Sequence, residues 1–163
     1  MFFYKDKKTR GGFGIIEAVV GIAVISVMIF GAASVIKTAM VAERGAAQNI
    51  KSAYLLEEGM EAVKLLRDES WASNIAPLLS GADNYLEFNG TKWLATSSNI
   101  YIDAVFERKF RADNVLRDIN DDISSSGALD QDTKKITVFV SYRNKSATTT
   151  KQISAYITNI FNN

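Results

Sequence analysis

The chain has 163 residues, and its 19 Lys+Arg nearly cancel its 18 Asp+Glu. That length supports one modest core, and the balanced charge speaks against a strongly basic nucleic-acid binder. It contains neither cysteine nor histidine, which excludes disulfides, thiolate metal sites, Ser–His or Cys–His catalysis and histidine-ligated zinc.

Residues 1–12 are short and basic, with Lys5, Lys7, Lys8 and Arg10 against Asp6. Phe13 to Ile36 follows, an apolar run whose one charge is Glu17. About 20 apolar residues rising ~1.5 Å each cross a ~30 Å hydrocarbon layer, so residues 13–36 are predicted to span a membrane. The positive charge before the span places the N-terminus in the cytoplasm and the remainder outside. A cleaved secretory signal would have an apolar region of only ~7–15 residues. A plain anchor fits the hydropathy but leaves Glu17 without a reason, since a carboxylate in an apolar run is costly and needs a partner or a role.

Gly12, Phe13 and Glu17 stand in the string GG-F-G-I-I-E. A basic leader, Gly–Phe, a Glu four residues after the Phe and then an unbroken apolar helix resemble the type IV prepilin signal. That family comprises type IV pilins, minor pilins, and competence and type II secretion pseudopilins. The resemblance implies cleavage by prepilin peptidase after Gly12, and N-methylation of Phe13 as the new N-terminus. It also implies pairing of Glu17 with a terminal amine during assembly. A carboxylate one helical turn from a new cation can neutralise it. The implied partners are prepilin peptidase, other pilin subunits met through their N-terminal helices, the pilus assembly machinery and, before assembly, membrane lipid. The implied location is the cytoplasmic membrane first and an extracellular filament afterwards.

Beyond the span, Ile50, Ala53, Leu56, Met60, Val63 and Leu66 recur at helical spacing. One helix is expected from about Phe13 to about Arg67, with residues 37–69 as its amphipathic half facing a core. Glu61–Lys64 and Lys64–Asp68 are spaced as helix ion pairs. Residues 70–83 read as a loop with a short helical turn. Tyr85–Phe88 and Thr91–Leu94 form a predicted hairpin around a two-residue type I′ turn at Asn89-Gly90. Ile100–Phe110 reads as one strand, with Ile100, Ile102, Ala104, Phe106 and Phe110 on one face. Ala112–Thr133 reads as a polar loop. KITVFVSYR alternates, with Ile136, Val138, Val140 and Tyr142 on one face. NKSATTT reads as a turn. KQISAYITNIF is the last strand, with Ile153, Ala155 and Ile157 facing one way. The fold class is therefore α+β: a long, partly transmembrane N-terminal helix packed on an antiparallel head, residues 70–163. AYLLEEGMEAVKLLRDESW (53–71), FERKFR, KKITVFVSY and AYITNIF resemble minor pilins of the pilus-modification kind.

Asp121, Asp122, Asp130 and Asp132, with Asp113 and Asp118 nearby, could offer oxygen ligands to Ca²⁺. Their spacing is not that of an EF-hand, and a solvated acidic loop is the favoured reading. No cofactor is expected. Arg108, Lys109, Arg111 and Arg117 beside Tyr101, Phe106 and Phe110 resemble a basic–aromatic nucleic-acid surface, but Asp103, Glu107 and Asp113 weaken its field, and nucleic acid is not the expected partner. Trp71 and Trp93 read as core anchors. No constellation supports an enzyme. The expected function is a structural subunit, a minor pilin. The alternatives are a type II secretion or competence pseudopilin and, in another class, an uncleaved single-span binding or sensor module.

Overall fold

The computed structural model describes residues 12, 14–144 and 147–162. Phe13 and residues 1–11, on which the expected leader and methylation site fall, lie outside the described residues. The chain divides into two compact units, Met1–Arg44 and Gly45–Asn163. Helix α1 (Ile15–Glu69) contributes to both. Helix α2 (Trp71–Asn74) follows at once, capped by the Ser70 side chain, which accepts from the Ser73 amide at 3.2 Å. Seven strands come next: β1 (Asn84–Phe88), β2 (Trp93–Thr96), β3 (Tyr101–Ile102), β4 (Phe106–Arg117), β5 (Ile123–Ser124), β6 (Ala128–Asn144) and β7 (Ala147–Thr158). They form one antiparallel sheet in the order β2-β1-β4-β6-β7, with β3 and β5 also paired to β4. The expected α+β class is observed.

In the second unit, one face of α1 packs on this sheet. Leu55, Leu56, Met60, Ala62, Val63 and Leu66 meet Phe106, Phe110, Ala112, Ile136, Val138, Val140 and Tyr142, with Trp71, Ile75, Leu86 and Ile157 closing the core. Trp71 is buried, and Trp93 is partly buried against the core. The buried stripe of α1 is rotated from the expected one. Ser52, Leu55, Gly59 and Ala62 are buried, whereas Ile50 and Ala53 are exposed. The reason is steric: small residues allow the sheet to approach the helix, and hydropathy does not register them as core. A Cβ on Gly59 would lie 2.8 Å from Val138 Cγ1 and 3.1 Å from Arg108 Cδ. Beside this contact Asn49 ties helix to sheet. Its Oδ1 accepts from the Tyr142 hydroxyl at 2.7 Å, and its backbone carbonyl accepts from Ser52 Oγ at 2.8 Å and Lys151 Nζ at 3.2 Å. On the exposed side of α1, Lys64 pairs with Glu61 and Arg67 with Asp68, each at 2.7 Å.

Four local expectations are corrected. The β1–β2 loop has four residues, because Phe88 pairs with Trp93. Asn89 has an ordinary backbone, and its side chain accepts from the Thr91 and Lys92 amides at 3.0 Å each. An Asx-type loop therefore replaces the two-residue turn. The single strand at Ile100–Phe110 is broken after Ile102 by a tight turn, closed by Val105 N donating to Ile102 O at 3.1 Å. Asp103 and Ala104 carry φ of 51° and 55° there, the signs of a type I′ turn. Ile100 and Ala104 therefore do not share the buried face of Phe106 and Phe110. The polar loop at Ala112–Thr133 is mostly strand, because β4 runs to Arg117 and β6 starts at Ala128, in register with it across a bulge at Asn114/Val115. Finally, Asn144 pairs with Ala147, so residues 147–150 belong to β7. Residues 145–146, the rest of the expected turn, lie outside the described residues.

Left-handed backbone costs a non-glycine residue roughly 1–2 kcal/mol. Ala104→Gly is therefore expected to raise unfolding stability by about 1 kcal/mol, reversing the usual sign of that substitution. Chemical denaturation of the two forms checks this, and a less stable glycine variant would contradict the turn assignment.

Candidate functional site

The site suggested by the sequence is the start of α1. Gly12 is exposed and outside any helix or strand. Gly14 is the helix N-cap: its carbonyl accepts from the Ala18 amide at 3.2 Å. Glu17 lies at the third helical position, and its Oε2 accepts from the Gly14 amide at 2.7 Å. That is the reciprocal half of a capping box, in which a carboxylate satisfies an orphan donor and complements the positive end of the helix dipole. The sequence reading of Glu17 missed Gly14 as a partner. The signal was present in Gly14-Ile15-Ile16-Glu17, since glycine is an accepted N-cap with Glu three residues on.

After Glu17 the helix is apolar and uncovered. Val19, Ile22, Val27, Met28, Ile29, Phe30, Val35 and Ile36 are all at least 60% exposed. None of the most apolar eighteen-residue window is buried within the chain. Ser26 Oγ donates to Ile22 O at 2.7 Å, and Thr38 Oγ1 to Ser34 O at 3.0 Å, so these two hydroxyls bond within the helix. This matters in hydrocarbon, where an unpaired polar group has no water to bind. By length and composition α1 can cross a membrane.

The acidic residues do not form one loop. Asp121 and Asp122 lie in the β4–β5 connection, which the Asp118 side chain organises by accepting from Asn120 N and Asp122 N. Asp130 and Asp132 lie in β6. Asp130 is taken by Arg117, at 2.6 Å, and Asp132 accepts from the Asn159 side chain at 3.2 Å. Among the described residues no group of three or more acidic side chains converges on a position that could hold a metal ion.

The basic–aromatic surface is also dispersed. Alternation along β4 sends Phe106, Arg108 and Phe110 to the buried face. Arg108 is 4% exposed, its Nη1 pairs with Glu58 at 2.7 Å, and its guanidinium lies 5.0 Å from the centre of the Trp93 ring. Its buried Nε has no partner among the described residues. Lys109 and Arg111 both bind Asp83, at 2.7 and 2.5 Å.

These pairs set the acid response of the head. Arg111 first, and then Lys109, hold the Asp83 carboxyl below its ordinary 3.8. Arg117 does the same for Asp130. A carboxyl depressed on folding binds fewer protons in the folded state, so protonation favours unfolding. Their contribution is full above the unfolded value near ~4 and drains as pH falls through the lower folded values. With no histidine in the chain, no side chain has an ordinary pKa between about 5 and 8. The expected melting temperature is level from about pH 5 to 8 and falls below about pH 4. Melting curves across that range check it, and a break near pH 6.5 would contradict it.

Comparison of the chain with protein-family models, with curated proteins and with solved structures gave no match.

Proposed function

We propose that the chain is a structural subunit, a minor pilin, of a type IV pilus-like filament. The observation that supports this best is the start of α1, where a lone carboxylate in the first turn heads an apolar helical surface with no cover of its own. A simple anchor also needs the apolar surface, and in it Glu17 would be no more than the helix cap. In the proposed cycle the precursor waits in the cytoplasmic membrane as a single-pass protein, N-terminus inside. Prepilin peptidase cuts between Gly12 and Phe13, and Phe13 is methylated. The assembly machinery then transfers the helix from lipid into a bundle of neighbouring subunits' helices. Packing against those helices replaces lipid contacts. The Glu17 carboxylate, already bonded to one amide of its own chain, has a second oxygen with which to accept from a subunit's terminal amine. A carboxylate–ammonium pair is stronger in such a low-dielectric bundle than in water. Type II secretion and competence pseudopilins share this chemistry and differ in the machine they serve.

Mass spectrometry of filaments sheared from native cells tests the reading. A peptide beginning at methylated Phe13, present at trace abundance beside a major subunit, is the expected result. An intact Met1 terminus confined to the membrane fraction would overturn it in favour of an uncleaved tethered module.

A further inference from the structure

The face of the sheet turned away from α1 carries a cleft of about 320 Å³ at its β3–β4–β6 end. Strand register builds it. Tyr101 pairs with Glu107, Glu107 with Ser141, and Ser141 with Thr150, so these four side chains stand in one row on one face. Arg143 and Thr148 pair in the next row of the same face. Tyr101, Glu107, Ser141, Arg143 and Thr148 line the cleft, and Val105 and Ala104 of the left-handed turn close one side.

The cations of β4 are spoken for by carboxylates, but among the described residues no ion pair engages Arg143 of β6. Glu107 is fixed differently: its Oε1 accepts from Asn99 Nδ2 at 2.9 Å and from the Tyr85 hydroxyl at 3.4 Å, which leaves Oε2 to accept from a ligand. Neither group neutralises the other, so the cleft presents one free guanidinium fork and one anchored carboxylate. Tyr101 is 59% exposed beside them and offers a bare ring face. Ser141 Oγ and Thr150 Oγ1 are hydrogen-bonded to each other at 2.8 Å, one donating and the other accepting, which leaves each hydroxyl capacity for a further bond.

We propose that this cleft binds a sugar residue bearing one carboxylate, of the uronic acid class. The planar fork of Arg143 matches a carboxylate in two parallel hydrogen bonds. Glu107 accepts from a ligand hydroxyl, Ser141 and Thr148 bond others, and the Tyr101 ring packs on the C–H face of the sugar ring. The carboxylate of Glu107 also selects against alternatives. It repels a phosphate dianion more strongly than a singly charged uronate, and only a ligand with hydroxyl donors offsets that repulsion by bonding to it. The proposal is independent of filament assembly, because every group in it belongs to the head.

Calorimetric titration of the full chain in detergent micelles tests this, with trigalacturonic acid, galactotriose and inorganic phosphate as probes. The expected result is binding of trigalacturonic acid, with galactotriose and phosphate each weaker by at least about tenfold, the scale of a hydrogen bond to a charged group. Arg143→Gln is expected to abolish the preference for the acidic sugar. Arg143→Lys, which keeps the charge without the fork, retains part of it, and Tyr101→Ala weakens both sugars. Both positions are exposed, so the melting temperature of each variant stays at the parent value. Equal binding of galactotriose, equal binding of phosphate, or no binding of any probe would overturn the proposal.

Discussion

Glu17→Gln is expected to reach the membrane at the parent level and to be at least about tenfold depleted from sheared filaments. The amide oxygen of glutamine can still accept from the Gly14 amide, which the carboxylate does at 2.7 Å, so the helix start is kept. What disappears is the charge. A hydrogen bond to a charged group contributes about 1.5–3 kcal/mol, and ~1.4 kcal/mol is a factor of ten. Glu17→Ala removes cap and charge together and cannot separate the two roles. Quantitative mass spectrometry of membrane and filament fractions reads both variants. If the glutamine variant enters filaments like the parent, Glu17 is a helix cap only and the proposed amine pairing is wrong.

Gly59→Val is expected to cost the head about 3 kcal/mol, and with it about 10 °C of melting temperature. A Cβ at this position would already sit 2.8 Å from Val138 Cγ1. Val138 is wholly buried, so its short side chain has nowhere to turn. The second neighbour is the stem of Arg108, at 3.1 Å, held in place by its pair with Glu58. Two branched methyls would force α1 and the sheet apart over the centre of the core. Gly45→Ala is the control, since its Cβ meets nothing within 4 Å and alanine favours helix by about 1 kcal/mol. Thermal unfolding followed by circular dichroism compares the three proteins. A Gly59→Val protein that melts with the parent would mean the contact between α1 and β6 is not close.

The long helix, the alternation of Ile136, Val138, Val140 and Tyr142, and the antiparallel pairing of the last two strands were legible because each rests on periodicity. The helix repeats every 3.6 residues and the strand every two, and the core stripes follow. Failures came where a single backbone angle or a distant partner decides. Asn89-Gly90 has the composition of a type I′ turn, yet the Asn89 side chain captures two amides and opens the loop. Asp103-Ala104 lacks that composition, yet it takes the left-handed turn, with Lys51 of α1 paired to Asp103. That ion pair joins residues far apart in the chain, which no local window can see. The acidic stretch read as a loop because Asp and Asn favour turns. In the fold, Arg117 of β4 and Asp130 of β6 are diagonal neighbours on adjacent strands and neutralise one another. For the candidate site, Gly12, Phe13 and Glu17 rest on the resemblance of one short string to the prepilin signal, and the fold adds only the capping contact of Glu17 with Gly14. The sequence did not single out Arg143, because an arginine at the end of an alternating strand looks like an ordinary solvent-facing charge until register sets it beside Glu107 and Tyr101.

Asn49 also sets a schedule for synthesis. Its partners Tyr142 and Lys151 lie 93 and 102 residues downstream. At roughly 5–20 residues per second, the ribosome delivers them about 5–20 s after Asn49 itself. For most of that interval the apolar stripe of α1 beyond Arg44 has been made, while β6 and β7 are not yet complete. The head therefore cannot complete its core until β6 and β7 have been made. A factor that shields nascent apolar helix, or the membrane surface itself, has that many seconds in which to act. Truncation before Lys151 should leave a head that binds such factors and is quickly degraded.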